Sequence, residues 1–135
     1  MSYAGDLNPK QAWDFMIQNP TTQLIDVRTT AEWAAVGVPD TAPLNRQPIL
    51  LSWQIYPTMQ IDEDFITKLS AQIPDSATPL LFLCRSGARS RAAATAATQA
   101  GYRQCYNVVH GFEGGPGPDD AQSGWKHSGL PWIGN

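Results

Sequence analysis

The stretch Leu80-Leu81-Phe82-Leu83-Cys84-Arg85-Ser86-Gly87-Ala88-Arg89-Ser90-Arg91 decides how the chain folds. Four apolar residues lead to a cysteine, a short polar loop with a glycine and arginines follows, and Ala92 to Ala100 then reads as an alanine-rich helix. A short apolar run bounded by turn formers reads as a buried strand. Strand, loop and helix N-terminus together make an anion site, because unpaired N–H groups converge there and the helix dipole favours negative charge. A thiol in that position has its thiolate favoured over its neutral form. Cys84 is therefore the candidate nucleophile. The loop residues Arg85, Ser86, Gly87, Ala88, Arg89 and Ser90 are the candidate substrate-binding surround.

On both sides of this stretch, strands and helices alternate. Asn8, Pro9 and Gln11 open a helix as cap, first-turn proline and box partner, and Asn19-Pro20 stops it. Gln23 to Val27 reads as a buried strand, and Thr30 to Ala35 as a short helix with Glu32 in its first turn and Gly37 at its end. A short strand or its approach is expected within Pro48 to Trp53. A helix is expected over Asp62 to Ile73, with Phe65, Ile66, Leu69 and Ile73 as its apolar stripe. Gln104 to Val109 is the last strand, and the tail has one helical stretch around Ser123 to His127. This order predicts an α/β fold with a mostly parallel sheet covered by helices on both faces. Ligands of such sheets bind beyond the carboxyl ends of the strands. Cys84 and the Asp26-Val27-Arg28 segment both lie at such ends.

Composition bounds the reading. A chain of 135 residues, with 42% apolar and 16% charged residues, is the size of one domain with one core, so residues 1–135 are expected to form a single domain. The net charge of −3 points to neither nucleic acid nor an anionic membrane as partner. Between Asp75 and Glu113 there is no carboxylate, whereas Arg85, Arg89, Arg91 and Arg103 lie there, so an acidic chain keeps one basic segment around Cys84. The start of the chain lacks the basic and apolar regions of a secretory signal, and the expected location is cytoplasmic. With two cysteines and two histidines, neither a metal site nor a cofactor is expected.

The motifs, taken together, resemble the rhodanese (sulfurtransferase) family. Cys84-Arg85-Ser86-Gly87-Ala88-Arg89-Ser90 is similar to that family's active-site loop. Leu24 to Arg28, followed by Glu32-Trp33, resembles its first segment. Asn107 to Gly114 resembles the glycine-containing segment after its last core strand, and Gly124-Trp125-Lys126 through Gly129-Leu130-Pro131 its closing stretch. The resemblance implies an open, mostly parallel five-stranded sheet and persulfide chemistry at Cys84, with sulfur taken from a donor such as thiosulfate and passed to a thiophilic acceptor. Arg85 and Arg89 would hold a small anionic donor, and a protein can serve as sulfur donor or acceptor. Asp26 is expected to orient Arg89 or the loop backbone, with Arg28 beside it as a second supporting residue. Spacing alone leaves open that Asp26 is only a turn cap.

Loop length separates related chemistries. Arg89 is five positions after Cys84, whereas the related phosphatases place it six after, so the loop resembles the sulfurtransferase class. A Cys-dependent phosphatase or arsenate reductase, and a non-catalytic sulfur-carrier or regulatory module that docks a partner, are the alternatives. The stretch Val36 to Asn45 lacks the family's Ile-Pro ending. The connection from Asn45 to Gln60, with Trp53, Tyr56 and Met59, is expected to pack in the core or to line the mouth of the site. Cys105 begins the last strand whereas Cys84 ends its own, so the two lie toward opposite edges of a parallel sheet and Cys105 is expected to be a buried structural thiol. His110 is either a loop residue bonded to backbone or a proton carrier.

Overall fold

The computed structural model describes residues 3–115 and 122–134. Strand β1 (Gly5–Leu7) leads into helix α1 (Pro9–Gln18), then β2 (Gln23–Asp26), α2 (Thr30–Val36), β3 (Val38–Pro39), β4 (Ile49–Leu50), β5 (Gln54–Ile55), β6 (Gln60–Ile61), α3 (Phe65–Gln72), β7 (Leu80–Leu83), α4 (Ala88–Gln99), β8 (Cys105–Val108) and β9 (Trp132–Ile133). Five strands form the main sheet in the order β1-β8-β7-β2-β4. Every pair in it is parallel. Two small antiparallel pairs, β3 with β9 and β5 with β6, lie outside it.

The helices begin where the local chemistry says. Asn8 caps α1 reciprocally with Gln11, and Thr29 caps α2 reciprocally with Glu32. Gly37 ends α2 at φ 109°, a conformation that other residues rarely adopt. Helix α4 starts four residues before the alanine run, at Ala88, directly after Gly87. Helix α3 starts at Phe65. Its cap residue Asp64 makes no side-chain cap bond, and Asp62 before it accepts from the Asp64 N–H and from Lys68 Nζ, at 2.9 and 2.6 Å.

The period of two along the strands divides the core. On one face, Ile25, Phe82, Cys84 and Cys105 pack against Phe65 and Leu69 of α3 and Ala93, Ala94 and Ala97 of α4. On the other, Leu24, Leu81, Leu83 and Val108 pack against Ala12 and Met16 of α1 and against Phe112 and Trp125. All four residues of β7 are fully buried, each contributing roughly 1.5–3 kcal/mol by transfer from water. Alanines on α4 let that helix lie close to the sheet, which fixes the loop at its N-terminus. Trp125 is fully buried, meets Trp13 edge-on at 5.8 Å and donates its Nε1–H to Pro131 O, pinning the closing segment.

Strand order also places the site. After β2 the chain moves outward to β4, whereas after β7 it moves the opposite way to β8, on whose far side β1 lies. The loops leaving β2 and β7 therefore part, and a crevice opens between them at the carboxyl edge, where α/β sheets receive their ligands. Among the described residues, no helix is long and apolar enough to cross a membrane.

Candidate functional site

Cys84 directly follows β7, and its side chain points toward α4. The thiol is 1% exposed. Its Sγ accepts the Gly87 N–H at 3.1 Å and lies 3.2 Å from Ser90 Oγ. Gly87 stands at φ 115° as the residue before α4, so the loop turns within three residues to set a backbone donor over the sulfur. Helix geometry leaves the first-turn N–H groups of α4 without intrahelical acceptors, and the positive end of the helix faces the thiol. Ala88 opens the helix and Ser86 lines a shallow depression with Arg85, Gly114 and Gly115.

The loop is braced from β8. Phe112 N–H donates to Cys84 O and Glu113 N–H to Arg85 O, at 2.8 and 2.9 Å. This close approach depends on Gly111, at φ 57°: a Cβ there would stand 2.4 Å from Cys84 O. His110 belongs to this brace through its backbone, since its carbonyl accepts the Gly114 N–H. His110 also lines a separate depression with Asn8, Pro9 and Lys10.

The arginines are not free cations. Arg89 forks onto Glu32, Nη1 to Oε1 at 2.7 Å and Nη2 to Oε2 at 2.9 Å, and both side chains are about one-fifth exposed. Burial pushes the Glu32 carboxyl up, but hydrogen bonds from Arg89 and from the Thr29 N–H outweigh it and hold the group below its ordinary value. The Glu32 carboxylate in turn raises Arg89, against burial. Arg85 is largely exposed and lies 3.5 Å from Glu113. The stretch around Cys84 is free of carboxylates in sequence, but Glu32 and Glu113 bring two to it in space. Glu32, Glu113, Arg85 and Arg89 line one cleft with Val36 and Met59, of about 430 Å³.

The hydrogen bonds of Asp26 go to Arg28 and not to Arg89 or the loop backbone, and only its charge reaches Arg89. Asp26 is fully buried and holds Arg28, also fully buried, through Nη2 at 2.7 Å and Nε at 3.0 Å, and it accepts the Arg28 N–H at 3.1 Å. Arg28 then donates to Gly37 O at 2.8 Å and lies over the Phe112 ring at 4.3 Å. A carboxylate this deep takes the nearest cation that completes its hydrogen bonds, and Arg28 leaves the same strand end. The pair ties the start of β3 to the brace below the cysteine loop.

Glu32 is the site residue that sequence reasoning passed over. Its signal was present: Thr29-Thr30-Ala31-Glu32 is a capping box, which fixes the Glu32 carboxylate where Arg89 arrives. The connection after β4 divides. Trp53 meets Phe65 edge-on at 5.0 Å in the core, whereas Met59 reaches the cleft. Cys105 is buried at the far end of the sheet, paired in register with Leu80, and burial raises its thiol above the ordinary value. Among the described residues, no group of three His, Cys, Asp or Glu side chains is placed to hold a metal.

A parallel sheet of this order, with a cysteine between the last buried residue of a central strand and a helix N-terminus, is the arrangement of a rhodanese-like domain. The comparisons agree. A family model described as the STR4 middle domain matches residues 5–135. An uncharacterized protein of Rickettsia rickettsii, the RP600 homolog, is 38% identical over 122 residues, covering 90% of this chain and 91% of that one. The thiosulfate sulfurtransferase GlpE of Actinobacillus succinogenes is 28% identical over 126 residues, covering 93% and 87%. The crystal structure of Rv0390 from M. tuberculosis matches with a TM-score of 0.89 at 43% identity, covering 99% of this chain and all of that one. The solution structure of a polysulfide-sulfur transferase homodimer from Wolinella succinogenes matches with a TM-score of 0.68 at 26% identity, covering 96% and 78%. The chain belongs to the rhodanese-like family.

Proposed function

We propose that this protein is a sulfurtransferase, acting as a single rhodanese-like domain and carrying sulfane sulfur as a persulfide on Cys84. The observation that carries the reading is the Cys84 Sγ itself, hydrogen-bonded by the Gly87 N–H at the N-terminus of α4 in a loop that reaches its arginine in five steps. The Cys84 thiolate attacks the outer sulfur of a donor such as thiosulfate. The new S–S bond forms as the old one breaks, and sulfite leaves with the electron pair. A thiophilic acceptor then attacks the outer sulfur of the persulfide and returns Cys84 as thiolate. With cyanide as acceptor, the product is thiocyanate.

The N–H groups that bond a thiolate can also receive the negative outer sulfur of the persulfide, with Arg85, Ser86, Gly87, Ala88, Arg89 and Ser90 as its surround. The near-complete burial of Cys84 suits delivery of one sulfur atom better than entry of a whole phosphate. The names of two relatives, a thiosulfate sulfurtransferase and a polysulfide-sulfur transferase, agree with this chemistry. Asp26 and Arg28 support the site by holding its brace, without touching the sulfur.

The test is turnover. Purified protein mixed with thiosulfate and cyanide is expected to release thiocyanate, and Cys84→Ser to release none. No thiocyanate with thiosulfate or polysulfide, together with hydrolysis of an aryl phosphate or reduction of arsenate, would transfer the protein to the other Cys-dependent class.

A further inference from the structure

Asp6, Asn107, Ser90 and Cys84 form one line of contacts from the edge strand β1 to the thiol. Asn107 Nδ2 donates to Asp6 Oδ1 at 3.1 Å, Ser90 Oγ lies 2.5 Å from Asn107 Oδ1, and the same Oγ lies 3.2 Å from Cys84 Sγ. Asn107 and Ser90 are fully buried, whereas Asp6 is exposed and also accepts from Tyr3 Oη at 2.8 Å.

Counting protons decides which way this line points. An ionised carboxylate only accepts hydrogen bonds, so Asp6 obliges Asn107 to turn its NH₂ group toward β1. The Asn107 carbonyl oxygen then faces Ser90, and it too only accepts. Ser90 Oγ is within donating reach of both Cys84 Sγ and Asn107 Oδ1, but it has one hydroxyl proton, and two oxygens 2.5 Å apart need that proton between them. What remains for Cys84 is a lone pair, which accepts an S–H and repels a thiolate. The Gly87 N–H and the α4 N-terminus act in the opposite sense. The thiol thus sits between two groups that favour the thiolate and one hydroxyl turned against it.

We propose that Asp6 and Asn107 are positioning residues that aim the Ser90 proton away from Cys84 and so restrain thiolate formation in the resting site. The proposal rests on Cys84 as the reactive group, but not on which sulfur donor it meets. If Ser90 gives its proton to the sulfur, the buried Asn107 carbonyl loses its donor unless the amide turns over, and the Asp6 carboxylate opposes that turn. In Asp6→Asn the new amide can donate to Asn107 Oδ1, so Asn107 can present its NH₂ group to Ser90 and release the Ser90 proton to sulfur.

The test uses the full chain with Cys105→Ser, so that Cys84 is its one thiol, and needs no sulfur donor. The readouts are the ultraviolet thiolate absorbance at neutral pH, taken against the same chain with Cys84→Ser, and the rate of alkylation by iodoacetamide. Asp6→Asn is expected to raise both several-fold while melting as the parent does. Tyr3→Phe, which leaves the Asp6–Asn107 bond, is expected to change neither. In a Ser90→Ala background the effect of Asp6→Asn is expected to vanish. Unchanged or lower thiolate in Asp6→Asn, or a rise that persists without the Ser90 hydroxyl, would overturn the proposal. Because no sulfur is transferred, a protein without sulfurtransferase activity still gives a readable result.

Discussion

Glu32 on α2 and Arg89 on α4, 57 residues apart in sequence, close a two-pronged ion pair in the lining of the cleft at 2.7 and 2.9 Å. The cation expected to receive an anionic donor is therefore already matched by a carboxylate. A donor dianion must share Arg89 with Glu32 or displace it. Glu32→Gln keeps the shape and removes the competing charge. It is expected to lower the KM for thiosulfate by roughly two- to ten-fold, in line with about 1 kcal/mol for a partly exposed pair. Arg89→Ala is expected to raise that KM with less effect on melting. Initial-rate kinetics on the three proteins check both.

The same pair has a pH signature. The Glu32 carboxyl is held below its ordinary value in the folded protein, so it binds its proton more weakly there than in the unfolded chain. Its contribution to stability is therefore complete above the unfolded value near 4.5 and is lost as pH falls through the lower folded value. Asp62, held low by Lys68, behaves alike. Urea unfolding from neutral to acid pH is expected to show a shallower acid loss in Glu32→Gln than in the parent.

Asp26 acts on the fold. Removing one member of a fully buried ion pair leaves the other charge without compensation, at a cost of roughly 3–5 kcal/mol. Asp26→Ala is accordingly expected to lower the unfolding free energy by that order. At a temperature where it remains folded, it is expected to keep the parent KM for thiosulfate. Chemical denaturation together with initial rates separates these effects.

Gly111 links the brace to the chemistry. A side chain there meets the Cys84 carbonyl at 2.4 Å and must also adopt φ 57°. Gly111→Ala is expected to destabilise the protein by roughly 1–3 kcal/mol. It is also expected to reduce kcat more than KM, since the backbone that holds the sulfur shifts. A kcat equal to the parent's would show that the loop tolerates displacement.

What could be read from the sequence were features whose causes are local. The Asn8–Gln11 box, the apolar run of β7, the glycine after α2 and the cysteine loop each depend on a few adjacent residues, and each stands where it was expected. Strand β1 escaped because Gly5-Asp6-Leu7 has no apolar pattern of its own and gains its place by pairing with Tyr106, Asn107 and Val108. The partners of the charged residues escaped for a related reason. Spacing placed Asp26 and Arg89 on the same edge, but which cation Asp26 takes depends on burial and on the path of Arg28. The basic segment around Cys84 looked unopposed because Glu32 and Glu113 lie outside it in sequence. The resemblance to a known family supplied the strand number and the expectation of persulfide chemistry, which periodicity could not.

Whether Cys84 carries sulfur is read from intact mass. After incubation with thiosulfate and removal of excess donor, the parent protein and Cys105→Ser are expected to be one sulfur atom heavier. The added mass should be lost on exposure to cyanide and be absent from Cys84→Ser. A parent protein that stays at its bare mass with thiosulfate, polysulfide and a protein persulfide, or a Cys84→Ser protein that still gains the sulfur, would show that Cys84 is not the sulfur carrier.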